Sequence, residues 1–172
     1  MSPEIKINDE LKLRFLNPED ASVIHQMLEE SPDIRRYVAL FTDCETEEEV
    51  REEITDQMEH GALRYGIIKN DDLIGYIGIW QDTDIKDVVQ YNISYFLADE
   101  HRGGGIVTMA LQQLLNEAEK NLKIDRFSAW SEEGNEAGVR VLLNLGFVTT
   151  NTPHQNNHGT VSWKYVKEFK HG

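Results

Sequence analysis

The stretch EHRGGGIVTMALQQLL, residues 100–115, sets three consecutive glycines behind an arginine and ahead of a run with helical spacing. A connection that only had to turn would not favour this, because each glycine adds backbone entropy that folding must remove. The missing side chains instead let something approach the main chain closely. A Walker loop would continue as Gly-Lys-Ser or Gly-Lys-Thr, whereas Ile106 follows Gly105. A dinucleotide fingerprint would need glycine at Thr108 and a parallel strand–helix–strand unit, which the preceding segments do not supply. What both share still applies: bare N–H groups at a helix N-terminus, where the macrodipole adds about half a positive charge. Such a nest suits a diphosphate, and Arg102 adds a permanent cation.

The flanking segments predict what carries this loop. LKLRFL (11–16) alternates like a half-buried strand, and Asn17 caps a helix that Pro18 opens and whose Ala21, Ile24 and Leu28 share one face. In TEEEVREEITDQMEHG, Thr46 and Glu49 form a capping box, Val50, Ile54 and Met58 recur every fourth residue, and Gly61 ends the helix. LRYGIIK, LIGYIGIW and VVQYNISYFL read as consecutive antiparallel strands, the first two separated by Asn70-Asp71-Asp72. After the glycines, Val107, Leu111, Leu114 or Leu115, Ala118 and Leu122 mark a helical face, and IDRFSAW returns to a strand. NEAGVRVLLNLGF has Asn135 as cap, Val139, Leu142 and Leu145 as its apolar face, and Gly146 as its stop. GTVSWKYV then closes the sheet. The expectation is one α+β domain spanning residues 1–172, with no internal repeat and no dividing linker.

Charge and residue usage narrow the partners. A net charge of −14 disfavours nucleic acid and anionic lipid, and a cationic acceptor fits better. The acidic helix from Glu45 to Glu53 reads most simply as a solvated face, and alternatively as an attractor for a polyamine, an aminoglycoside or a basic protein N-terminus. Apolar runs are short, and MSPEIKINDELKL lacks the features of an export signal, so a cytoplasmic protein without membrane spans is expected, as monomer or homodimer. The lone Cys44 excludes an internal disulfide framework and a thiolate metal cluster. His154 and His158 in PHQNNHG stand four apart in a predicted loop without a third ligand, and no metal is expected. Trp80, Trp130 and Trp163 read as core or strand residues, with Trp80 a candidate for lining a cleft.

The segment YFLADEHRGGGIVTMALQQLL together with NEAGVRVLLNLGF resembles the acetyl-CoA signature of the GCN5-related N-acetyltransferases (GNAT), Arg/Gln-x-x-Gly-x-Gly/Ala, and is most similar to the branch that acetylates ribosomal-protein N-termini. The motifs cover residues 88–147. The resemblance implies a mixed, mostly antiparallel central sheet flanked by helices, with central strands that splay. It implies acetyl-CoA as co-substrate, its pantetheine arm lying along Asn92 to Leu97 with contacts from Phe96, Leu97 and Ala98. It places the pyrophosphate on the amides of Arg102, Gly103, Gly104, Gly105, Ile106 and Val107, and it gives Asn135 a second role as a cofactor contact. Val107 departs from the family's Gly or Ala.

Acetyl transfer needs a neutral amine, donors for the developing oxyanion and a thiolate able to leave. The family's usual glutamate position matches Asn92, and its usual Tyr or Ser acid positions match Leu142 and Gly138, so none of these can ionise. Candidates for catalytic groups are Asn92, Ser94, Tyr95, Glu132 and Glu133, with Tyr91 and His101 nearby in sequence. Transfer of acetyl to a primary amine is the leading expectation. A CoA-binding or assembly module without catalysis is the alternative, motivated by the missing acid and base.

Overall fold

Alternating apolar and polar residues build β1 (Glu4–Lys6) and β2 (Leu11–Phe15), after which come α1 (Ala21–Glu30), α2 (Pro32–Tyr37), α3 (Glu47–Glu59), β3 (Leu63–Lys69), β4 (Asp72–Gln81) and β5 (Gln90–Leu97). The second half runs α4 (Ile106–Asn121), β6 (Arg126–Glu132), α5 (Glu136–Asn144), β7 (Val148–Gln155) and β8 (Val161–Glu168). The computed structural model describes residues 1–37, 41, 43–156 and 159–169. Its strands form a single eight-stranded sheet in the order β1-β2-β3-β4-β5-β6-β8-β7. Neighbours are antiparallel except β5 and β6, which run parallel.

Each face of the sheet has its own core. On one, Ile93 and Leu97 of β5 and Phe127 and Ala129 of β6 meet Leu111 and Leu114 of α4 and Leu142 of α5. On the other, Tyr76 of β4 and Phe96 of β5 meet Ile24 and Leu28 of α1 and Val50 and Ile54 of α3. Full burial of such side chains contributes about 1.5–3 kcal/mol each. The two helical layers therefore clamp β5 from both sides.

Local signals account for most boundaries. Asn70 and Asp71, at φ +47° and +71°, make the tight left-handed turn between β3 and β4. Gly61 and Gly146 end α3 and α5 at φ +80° and +87°. Several expectations are corrected. Pro18 opens a short 3₁₀ turn, Pro18–Asp20, ahead of α1. Only half of the capping box forms: Thr46 Oγ1 accepts from the Glu49 amide at 3.1 Å, but the Glu49 carboxylate reaches the Glu45 amide at 3.2 Å. Leu122 lies just beyond the end of α4. β8 does not close the sheet; it inserts between β6 and β7. The expected loop at residues 153–159 is overturned as far as Gln155, because Pro153, His154 and Gln155 pair with Trp163, Ser162 and Val161. The Met58 side chain and His158 lie outside the described residues.

Gly75 lets β4 approach β5. A Cβ there would stand 2.6 Å from the Phe96 carbonyl oxygen, a main-chain atom that cannot swing away. Gly75→Ala is expected to lower stability by about 1–3 kcal/mol in urea titrations. An unchanged midpoint would show that the strands can part there without cost.

Candidate active site

β5 pairs with β6 only at Gln90↔Arg126, Tyr91↔Phe127 and Asn92↔Ser128, although β5 continues to Leu97 and β6 to Glu132. Beyond Asn92 and Ser128 the sheet is forked. The bonds Asp82 N–H to Gln90 O and Ala98 N–H to Ile74 O, both 2.8 Å, set the alternation along β5. Even-numbered residues turn their backbone groups toward β4, and Ile93, Tyr95 and Leu97 turn theirs into the fork. Of the expected contacts Phe96, Leu97 and Ala98, only Leu97 presents its main chain to the opening. Phe96 and Ala98 bond toward β4 and bury their side chains beneath α1 and α3. An extended ligand arm can therefore add to β5 as a strand would.

The glycine loop sits at the wide end of this fork. Asp99–His101 forms a 3₁₀ turn closed by His101 N–H to Ala98 O at 3.0 Å and Arg102 N–H to Asp99 O at 3.2 Å. Gly103 and Gly105 then adopt φ +86° and +76°, which side chains rarely tolerate. Met109 bonds back to Gly105 O at 3.0 Å, and the amides of Gly103 through Thr108 have no partner among the described residues. Those donors, at the positive end of a sixteen-residue helix, suit a diphosphate. The Val107 side chain packs against the main core, so its bulk is directed away from its free amide. Arg102 donates through Nε to Leu97 O at 3.4 Å and pairs with Asp99 at 3.0 Å and Asp33 of α2 at 3.7 Å. Any phosphate there shares this cation with two carboxylates.

Asn135 caps α5 as its sequence position suggests, its side chain accepting from the Gly138 amide at 3.1 Å. It also explains why Gly138 is bare: a Cβ there would stand 2.6 Å from the Asn135 side-chain nitrogen.

The catalytic candidates fall on different faces. Asn92 accepts from Gln90 Nε2 at 3.1 Å and is in register with Trp80 of β4, and Ser94 is in register with Gly78. Even-numbered residues of β4, β5 and β6 share this face; α1 and α3 cover its Tyr76 and Phe96 end, while Trp130 remains 49% exposed. Of the core or strand reading for Trp130 the strand holds: it lies on β6, with its ring half in solvent and edge-on to that of His154 at 5.7 Å. Tyr95 points to the opposite face, packs against the α4–α5 core and donates its hydroxyl to Gly138 O at 3.1 Å. Burial pushes its phenol pKa well above the ordinary range. Glu132 is buried and accepts a hydrogen bond from the Thr160 hydroxyl, whereas Glu133 is exposed and held by its amide to Val161 O at 2.7 Å. Tyr91 and His101 are half-buried, at the base and the wide end of the fork respectively. Ser128 and Ser131 of β6, which no sequence motif singles out, have buried hydroxyls without a hydrogen-bond partner among the described residues. Alternation in RFSAWSE could place them on a strand, but not reveal that they are unsatisfied.

Among the described residues, no three or more His, Cys, Asp or Glu side chains are grouped to hold a metal, and no helix is long and apolar enough to cross a membrane.

Residues 10–148 match the model of the acetyltransferase (GNAT) domain family. An uncharacterized N-acetyltransferase p20 of Bacillus licheniformis is 28% identical over 149 residues, covering 84% of this chain and 82% of the relative. The ribosomal-protein-serine acetyltransferase of Escherichia coli is 24% identical over 155 residues, covering 86% and 84%. Among solved structures, RimL, a ribosomal L7/L12 alpha-N-protein acetyltransferase in complex with coenzyme A, superposes with a TM-score of 0.83 at 18% identity, covering 96% of this chain and 98% of that one.

Proposed function

Because the chain belongs to the acetyltransferase (GNAT) family and takes acetyl-CoA as co-substrate, we propose that it acetylates the α-amino group of a protein N-terminus. The observation that carries this reading is the open face beside the fork. Trp80 and Trp130 flank Asn92 and Ser94 on a broad surface that suits the first residues of an extended chain. The name of the Escherichia coli relative supports the same acceptor class. The proposal includes one N-acetyltransferase domain over residues 1–172, acting in the cytoplasm. The non-catalytic alternative is not favoured by membership in a family of acetyltransferases.

In this reading acetyl-CoA supplies an acyl group activated by a good leaving thiol. The free amides of Gly103 to Thr108 hold its pyrophosphate, and the fork-facing groups of Ile93, Tyr95 and Leu97 hold its arm. The acceptor nitrogen approaches from the Trp80–Asn92 face, where Asn92 and Ser94 can orient it but cannot take its proton. Solvent or a more distant carboxylate takes that proton instead.

The rate should therefore follow the fraction of free amine. For a peptide N-terminus it is expected to climb up to about pH 8.5 and then level, since an α-amino group titrates near pKa ~8. Lysine or polyamine nitrogens, near ~10.4, would keep climbing beyond about pH 9. The deciding measurement is thiol release across a panel of N-terminal peptides and polyamines at several pH values. Peptides are expected to lead by at least about tenfold in kcat/KM, a difference of roughly 1.4 kcal/mol in transition-state binding. Equal or better turnover of polyamines would overturn the acceptor assignment.

A further inference from the structure

We propose that Ser131 and Tyr95 are catalytic residues that donate a pair of hydrogen bonds to the sulfur of acetyl-CoA as its C–S bond breaks. The proposal rests on acetyl-CoA as acyl donor and is independent of which amine accepts.

The two residues face each other across the fork. Asn92↔Ser128 is the last pair between β5 and β6, and Tyr95 and Ser131 each stand three residues beyond it, where continued pairing would have matched them. Both side chains point to the face that carries Ile93, Leu97, Phe127 and Ala129. An arm inserted as an extra strand would run about 4.8 Å from each neighbour, between Tyr95 and Ser131.

Each hydroxyl has capacity to spare. Ser131 is 6% exposed, and its buried Oγ has no partner among the described residues. Leaving such a group unmade is costly, so a hydroxyl kept there points to a partner that arrives with the substrate. Tyr95 donates to Gly138 O, but that carbonyl lies inside α5, where the amide four residues on is its regular partner. The phenol proton can turn to another acceptor without orphaning the carbonyl. Burial keeps the phenol protonated, which makes it a hydrogen-bond donor and a poor proton donor.

The balance needs nothing further. The amine nitrogen bonds to the acyl carbon, the C–S bond breaks, and its electron pair passes to sulfur. The amine proton goes to solvent, and Ser131 and Tyr95 keep theirs. A thiol of pKa about 8.5 leaves readily as an anion, and two donors ease that departure.

Coenzyme A alone tests the idea. Its thiolate absorbs in the ultraviolet, so the bound thiol can be titrated in the complex. In the wild type it is expected to ionise at lower pH than free coenzyme A. Ser131→Ala should return the midpoint upward by about one pH unit, with Tyr95→Phe acting in the same direction. In turnover, Ser131→Ala should lower kcat about tenfold with KM for acetyl-CoA within about twofold. Ser131→Cys, treated with the disulfide of coenzyme A, should form a mixed disulfide visible by mass, while the wild type with its buried Cys44 stays unlabelled. An unchanged thiol titration in Ser131→Ala, or a folded Ser131→Cys variant that resists labelling, would overturn the proposal. Should Ser131→Ala fail to fold, the labelling result decides. Neither measurement involves an amine, so a wrong acceptor leaves both intact.

Discussion

Gly105→Val is expected to weaken acetyl-CoA binding in calorimetry by about a hundredfold or more. Gly105 stands at φ +76° as the cap of α4, and a β-branched residue is poorly tolerated there. Forcing the loop out of this conformation would redirect the amides of Gly105, Ile106 and Val107, which have no partner among the described residues and are the proposed diphosphate donors. A Cβ at this position would meet no protein atom within 4 Å, so the side chain is added on the open side where the ligand is proposed to lie. The strain itself should cost about 1–2 kcal/mol of fold stability, which denaturant titration separates from the loss of binding. Undiminished affinity in a folded variant would remove the loop from the cofactor site. Arg102→Ala should do less, because Arg102 is already engaged by Asp99 and Asp33.

Arg64→Met is expected to raise stability, by about 1–4 kcal/mol in urea titration. The guanidinium is buried on β3, 5.2 Å from the Phe41 ring centroid and 5.6 Å from that of Tyr76, and none of its three nitrogens makes a hydrogen bond to the described residues. Glu53, at 3.8 Å, is partly exposed and too distant for a hydrogen bond. Burial is the first cause lowering the arginine pKa, with Tyr76 and Glu53 opposing it. A base whose folded pKa is depressed destabilises the fold below that pKa, which for arginine spans the working range. Methionine fills similar space without the charge. A loss of stability would mean that the rings and Glu53 repay the buried cation in full.

The glycine loop, the antiparallel run β3–β4–β5 and the cap at Asn135 were legible because each is specified locally, by left-handed backbone, alternation or a side chain reaching its own helix. What was not legible depends on partners distant in sequence. β7 carries threonines, asparagine and proline with little alternation of burial, and it is a strand because β8 offers it a ladder. The short β1 is held by β2 and by the Tyr65 hydroxyl, which donates to Ser2 O at 2.6 Å. α2 has only six residues, too few for a periodic signature. At the site, sequence could name Asn92, Tyr95 and Glu132 but not their faces, since the face follows from the register between strands. The unsatisfied Ser131 could not be foreseen either, because an empty hydrogen-bond position is a property of the neighbourhood.

The rims of the sheet give the fork a further meaning. β1 is only three residues long, and β7 carries Pro153, a left-handed Asn151 and a register break between Thr149 and Pro153. Proline, kinks and shortness each make a rim a poor template for another chain, the usual route from an open sheet to fibres. The fork is the place where main-chain groups are left ready for strand addition, and it lies in the interior of the strand order. Self-association through the sheet is discouraged at both ends, and the capacity to bind an extended chain is kept where only a slender arm can enter.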